Sequence, residues 1–306
     1  MNGKEELQKV CRTTRVEPGK KVDMKDHPSS WKDAGRYSVN GLRLCKDNSS
    51  ELLARSRERL AKMQEVLWAD DRFSVLIILQ GMDASGKDGI ISHVMSGVNP
   101  QGCQVTSFKA PTAEEAGHDF LWRCAKALPI KGKIGIFNRS YYEEVLITRV
   151  HPRFLDAQRL PAKEFDEDFW KERYEAINCW ERHLERSGTR IIKFFLNVSR
   201  EEQRDRLMAR MDQPEKRWKF SPGDVEERQL WPKYMEAYRN MLEATSTKHA
   251  PWHVLPADQK WLSRVLAAFV ITSNIEQLGL RYPALSEENE RAMAAARELL
   301  AKEKGG

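Results

Sequence analysis

The sequence predicts an α/β fold in which a central, parallel, five-stranded sheet is flanked by helices and carries a glycine-rich loop at its middle. Three observations carry that prediction. Five short strand-like segments, most of them apolar, alternate along the chain with helical patterns. The first of them, Val75 to Leu79, runs straight into Gly81-x4-Gly86-Lys87. Ile90, Ile91 and Val94 then follow at helical spacing, so the loop stands between a strand and a helix.

In that setting the glycines let successive backbone N–H groups turn inward around a phosphate. The lysine reaches the terminal phosphates, and the next helix presents its positive end. Gly81, Ala84, Ser85, Gly86, Lys87 and Asp88 are therefore candidates to hold phosphate groups. Asp88 occupies the place usually taken by a Mg²⁺-ligating Ser or Thr, and a second carboxylate, Asp83, lies inside the loop. A carboxylate among phosphates is repelled unless it holds a metal ion or takes a proton, which makes Asp83 a candidate for chemistry and for metal ligation. The competing reading is an ordinary strand-to-helix turn.

With 306 residues and 41% hydrophobic content the chain can bury a sizeable core, as one large α/β domain or two small ones. Lys and Arg number 51 against 45 Asp and Glu, a formal charge of +6, with a pI near 9.0. That balance favours an anionic partner such as a nucleotide, polyphosphate or nucleic acid, although a solvated mixed surface has the same balance. The five cysteines, at 11, 45, 103, 124 and 179, are scattered and form no C-x2-C pair, which argues against a disulfide framework or a zinc site. The opening residues lack the apolar core of a signal peptide, and no window holds eighteen consecutive apolar residues. A cytoplasmic protein with no membrane partner is expected.

In chain order, residues 1–45 read as a polar, irregular basic arm. Lys9, Arg12, Arg15, Lys20, Lys21 and Lys25 alternate with the breakers Pro18, Gly19 and Pro28, and the arm is expected to add positive charge to a binding groove. The main domain is expected over 46–285. Ser49 or Ser50 can cap a helix to about Ala69, with Leu52, Leu53, Leu60, Met63 and Leu67 on one face. Cys103 to Phe108 reads as the second strand. It delivers Lys109 toward the crevice off the carboxyl ends of the strands, unless that lysine is simply solvated. Thr112 opens a helix with a capping-box pattern.

Lys133 to Phe137 is the third strand, and it delivers Asn138, Arg139, Glu143 and Glu144 to the same crevice. Arg139 there can neutralise a transferring phosphoryl group, and either glutamate can bind metal or accept a proton. Their alternative role is a solvated helix start. A helix pattern spans 163–186, and Thr189 to Val198 is the fourth strand, with Ser199 as N-cap and Glu202 at the capping-box position. The most basic stretch follows, with Arg204, Arg206, Arg210, Lys216, Lys219 and Arg228 interrupted by Pro214 and Pro222. It has the form of a lid, over about 204–228, that closes on phosphates; a nucleic-acid-facing surface has the same composition. Trp252 to Pro256 is the fifth strand, followed by helices over 258–276 and from Ser286 to the end, the latter a separate terminal element over 286–306.

Taken together, GMDASGKDG, SFKAPT, GIFNRSYYEEVL and RLMARMDQPEKRWKFSPGDVEERQLWPKYMEAY resemble the successive motifs of the type-2 polyphosphate kinase family, over about residues 20 to 280. The resemblance implies a P-loop kinase fold like that of thymidylate kinase, with a helical lid. It also implies reversible, Mg²⁺-dependent phosphoryl transfer between inorganic polyphosphate and adenine or guanine nucleotides, with Mn²⁺ as an alternative ion. It places the family's loop pair on Asp83 and Lys87, its second-motif pair on Asn138 and Arg139, its acidic pair on Glu143 and Glu144, and its lid cations on Arg206, Arg210 and Arg228. Asn138 and Glu143 resemble the subclass called class III, which phosphorylates nucleoside mono- and diphosphates, AMP to ADP and ADP to ATP. A homodimer or homotetramer is implied, and no nucleic-acid partner. From the loop and lid alone, two other readings stand beside this one: an ATP-dependent nucleoside monophosphate kinase, and a non-catalytic protein that binds RNA or polyphosphate.

Overall fold

The computed structural model describes residues 3–39, 41–161 and 164–303. Gly3–Thr14 is a helix (α1), which corrects the expectation of irregular chain there. Its Leu7, Val10 and Cys11 turn one face into the core, with Glu5 and Glu6 in the first turn and Arg12 in the last, as the helix dipole favours. Ser38–Val39 (β1) and Leu42–Arg43 (β2) pair as a small antiparallel ladder ahead of the long helix Ser49–Asp70 (α2). Neither serine caps that helix. Asn48 holds the cap position without a side-chain bond, and the Ser49 hydroxyl donates to the Lys46 carbonyl at 2.6 Å. The expected apolar face is present, with Leu52, Leu60 and Leu67 buried and Leu53 and Met63 packed against the core.

The main sheet contains Ser74–Gln80 (β3), Cys103–Ser107 (β4), Ile134–Asn138 (β5), Thr189–Asn197 (β6) and Trp252–Pro256 (β7), all parallel, in the spatial order β4-β5-β3-β6-β7. β3 lies at the centre and every one of its residues is buried, as its unbroken apolar run requires. The connections between strands are helical. Lys87–Val94 (α3) follows β3, and Ala113–Ala116 (α4) and Trp122–Lys126 (α5) follow β4. Ile147–Val150 (α6) and Glu167–Arg186 (α7) lie between β5 and β6. Arg200–Asp212 (α8), Pro222–Gln229 (α9) and Trp231–Thr245 (α10) lie between β6 and β7. Lys260–Glu276 (α11) and Glu287–Lys302 (α12) close the chain.

α2, α3 and α11 pack together on one side of the sheet, and α7 packs with α10 on the other. The capping box at Thr112 is formed, and Ser199 caps α8 by accepting from the Glu202 N–H. The Glu202 side chain, however, accepts from Arg206 rather than closing a box. The expected start of the long helix at 163 lies outside the described residues, and α7 begins after its N-cap Asp166. Among the described residues no helix is long and apolar enough to cross a membrane.

Candidate active site

At the carboxyl end of β3 the chain turns back on itself through the loop 81–86. Gly81 has φ +153, and a Cβ on it would stand 2.8 Å from Ser85 Oγ and 2.9 Å from the Leu196 carbonyl, so the first loop position admits only glycine. Ala84 also takes a left-handed backbone, at φ 61, which costs a non-glycine residue energy and is held by contacts from outside the loop. Those contacts come from α8. Arg206 Nη1 donates to the carbonyls of Ala84 (3.0 Å) and Ser85 (2.9 Å), Nη2 donates to the carbonyls of Ala257 and Asp258, and Nε donates to Glu202. Gln203 Nε2 donates to the Asp83 carbonyl at 3.0 Å. Three consecutive loop carbonyls are thus drawn toward α8. Because the peptides are trans, their N–H partners face the opposite way; that of Ser85 closes a turn onto the Met82 carbonyl. Every nitrogen of Arg206 is engaged by the protein, which places this residue behind the loop as its support.

Lys87 is buried, and its ammonium donates to the carbonyls of Gly81 (2.7 Å) and Met82 (3.2 Å). Burial, and after it the Arg139 guanidinium, push its pKa down to about 8. Arg139 follows β5 with φ 63, its N–H still bonded to the Leu79 carbonyl, and this sharp turn aims the guanidinium at the loop. It pairs with the Asp83 carboxylate and, at 3.4 Å, with Glu143. Burial raises the Asp83 pKa, but Arg139, Lys87 and Arg210 together outweigh it and hold the carboxyl below its ordinary value. The Gln80 amide, turned so that both ends are satisfied, donates to Glu143 at 2.9 Å and accepts from the Ser140 N–H at 3.1 Å.

Two cavities open on either side of the Asp83–Arg139 pair. The first, about 840 Å³, is lined by the loop, α3 and α8 and is strongly basic, with Lys87, Arg210, Lys216, Lys219, Lys260 and Arg264 on its walls. The second, about 510 Å³, has Phe108, Pro111, Leu146, Ile147 and Phe154 on apolar walls and a few polar groups among them. Asp83 and Arg139 belong to both.

The residues singled out in the sequence are distributed over this geometry unevenly. Asp83, Ala84, Ser85, Gly86, Lys87, Asp88, Asn138, Arg139, Arg206 and Arg210 all line the basic cavity, with Asn138 donating to Asp88 at 2.9 Å and Arg210 pairing with Asp224 at 3.0 Å. Gly81 shapes the loop from below, and the Ser85 hydroxyl is buried without a hydrogen-bond partner among the described residues. Lys109, Glu143 and Glu144 line the apolar cavity instead. Glu144 turns away from Asp83, accepts from Gln158 at 2.7 Å and lies 3.3 Å from Arg173; burial raises its pKa against these two partners. Arg228 lines neither cavity and donates to the Arg200 carbonyl and to Gln203. Nor, among the described residues, does any of 1–45 line either cavity, so the arm adds no charge there.

Sequence reading missed Lys260 and Arg264. Their signal was present as two cations four apart at the start of the helix after the fifth strand, one turn from the crevice. Gln203 was missed as well, since a lone amide in a helix has no motif.

The polyphosphate kinase 2 family model matches residues 43–281. The chain is 48% identical over 289 residues to an ADP-polyphosphate phosphotransferase of Rhodopseudomonas palustris, covering 94% of this chain and 97% of that protein. It is 45% identical over 246 residues to an AMP/ADP-polyphosphate phosphotransferase of Meiothermus ruber, covering 80% and 88%. Its fold matches the crystal structure of polyphosphate kinase 2 from Arthrobacter aurescens with a TM-score of 0.81 at 40% identity, over 94% of this chain and 96% of that one. The strand order, the loop supported from α8 and the paired cavities occur in a chain that these matches span almost from end to end, and it belongs to the polyphosphate kinase 2 family.

Proposed function

We propose that the chain transfers phosphoryl groups reversibly between inorganic polyphosphate, held in the basic cavity, and AMP or ADP, held in the apolar one. The observation that carries this reading is the meeting of two unlike cavities at one ion pair, Asp83 with Arg139. A trough walled by eight lysines and arginines suits a linear chain of phosphates, whereas an aromatic and aliphatic pocket with few polar groups suits a nucleoside. A nucleotide seated with its base among Phe108, Leu146 and Phe154 presents its phosphates toward Arg139.

Phosphoryl transfer asks little covalent chemistry of the protein, so catalysis rests on positioning and on charge. Lys87 and the loop amides hold the phosphate being transferred, and Arg139 and Arg210 balance the charge that spreads over its oxygens. Among the described residues no group of three or more His, Cys, Asp or Glu side chains forms a cation cage. Asp83 nevertheless fits Mg²⁺, or Mn²⁺ in its place. Its carboxyl is kept ionised at the junction of the cavities, and such ions are commonly held by one or two carboxylates plus substrate phosphates. The ion supplies charge neutralisation between phosphates, and Asp83 is the residue that would hold it.

An assay with polyphosphate and AMP or ADP, without added ATP, tests the reading. ADP or ATP should form only when polyphosphate is present; no dependence on polyphosphate would overturn it. Assembly as a homodimer or homotetramer is proposed with it, supported by the exposed Met293, Leu299 and Leu300 on α12, which a second copy would cover. Light scattering that found a monomer would remove that part alone.

A further inference from the structure

We propose that Gln203 is a positioning residue that ties the lid helix α9 to the phosphate loop, so that lid position and loop geometry change together. Gln203 lies on α8 and is fully buried. Its amide nitrogen donates to the Asp83 carbonyl at 3.0 Å, and its amide oxygen accepts from Arg228 Nη1 of α9 at 2.9 Å. The orientation is fixed by chemistry: a carbonyl only accepts and a guanidinium only donates, so the amide fits one way round. The same Arg228 nitrogen donates to the Arg200 carbonyl at 2.6 Å, and its guanidinium lies 5.9 Å from the Trp231 ring. One side chain therefore links a cation of the lid to the backbone of Asp83, one of the two residues shared by both cavities.

A role in packing alone does not account for it. A leucine or methionine would fill the same space without placing two polar ends where each must be matched, and an unmatched buried end costs about 1–3 kcal/mol. If α9 moves away, Arg228 leaves with it and the amide oxygen loses its partner. The amide then gains by turning toward another donor, and the Asp83 carbonyl is released. The adjacent Ala84, at φ 61, has a strained backbone whose hold from outside is thereby loosened. Arg206 holds the next two carbonyls and is itself bonded to Glu202, Ala257 and Asp258 rather than to α9, so of these three carbonyls only that of Asp83 answers to the lid.

The inference rests on the proposed role of Asp83 in transfer, and its test separates the two. Gln203→Met, Arg228→Met and the double variant are compared by steady-state kinetics and by amide hydrogen exchange of the loop 81–86 in the protein without substrates. Each single variant should lower kcat about tenfold with the KM for nucleotide little changed, and the double should lose no more than the worse single. Loop exchange should rise in both singles, although Arg228 touches no loop atom. Wild-type kcat in Gln203→Met, losses that multiply in the double, or unchanged loop exchange in Arg228→Met would each overturn the relay. If Gln203→Met does not fold, Arg228→Met reads the same connection from its partly exposed end. Should the wild type show no transfer from polyphosphate while loop exchange responds as stated, the proposed function fails and the relay stands.

Discussion

Lys87 carries its charge on a largely buried side chain at the wall of the basic cavity. Burial first, and then Arg139, lower its pKa to about 8, so in the free protein it gives up its proton as pH rises through that value. Phosphate oxygens arriving beside it favour the charged form and return the proton. Binding of polyphosphate should therefore take up protons at and somewhat above pH 8 and not near pH 6, which calorimetry in buffers of different ionisation enthalpy measures directly. Loss of this proton uptake in Lys87→Ala assigns it to the lysine. Asp83 behaves in the opposite sense: its pKa is held down, so it stays ionised to below the usual carboxylate range and imposes no acid limb near neutrality. Asp83→Asn keeps the shape and an acceptor for Arg139 but removes the charge, and should cost about 2.7–4 kcal/mol in the barrier, a hundredfold or more in kcat, while the protein remains folded. More than about a tenth of wild-type rate would exclude a central role for this carboxylate.

The turn that follows β5 is the element to which we assign acceptor choice. Its Tyr141 and Tyr142 hydroxyls both donate to Glu181 of α7 at 2.7 Å, and Lys193 of β6 closes the network by donating to Glu181, to the Tyr142 oxygen and to the Thr245 carbonyl. Glu181 and Lys193 are completely buried, so this ion pair survives because every end is satisfied, and it fixes the turn that presents Arg139 and Glu143. Glu143 faces the apolar cavity, and in the seating proposed above a monophosphate would fall one phosphate short of the place a diphosphate reaches. A carboxylate there can hold an ion or water in that gap, and Glu143→Asn should lower kcat/KM for AMP several-fold more than for ADP. Equal fractional losses would assign Glu143 to holding Arg139 alone. The sequence made this turn legible at the level of its motif, because Asn138, Arg139, Glu143 and Glu144 stand in seven residues after an apolar strand. Spacing could not show that Glu143 and Glu144 point to different partners, nor reveal Lys193 with Glu181, whose network gathers residues from four elements. β3, β5, β6 and β7 were legible because burial leaves largely apolar runs, whereas the edge strand β4 has no buried residue and carries only a weak apolar signal. α1 was not legible, because only a few apolar residues mark it and Pro18 and Gly19 stand close behind.

Across the whole molecule the excess positive charge is sorted. Lysines and arginines from α3, α8, the turn Pro214–Lys219 and α11 line one mouth of the site, while Glu143, Glu144 and Glu227 stand in the other. Net charge pointed to an anionic partner, but only the fold brings Lys260 and Arg264 over a loop more than 170 residues away in the chain. Arg206 shows the converse, a cation in a lid motif that chain order cannot distinguish from its neighbours and that the fold turns inward as a buttress. Because the linings of the two cavities have only Asp83 and Arg139 in common, the seats proposed for the two substrates let both be present at once. The phosphoryl group then passes directly from donor to acceptor, with no stop on the protein. Initial-rate plots at several fixed concentrations of the second substrate should therefore intersect rather than run parallel. Each substrate should be able to arrive first, and radiolabel from polyphosphate should never remain on the denatured chain.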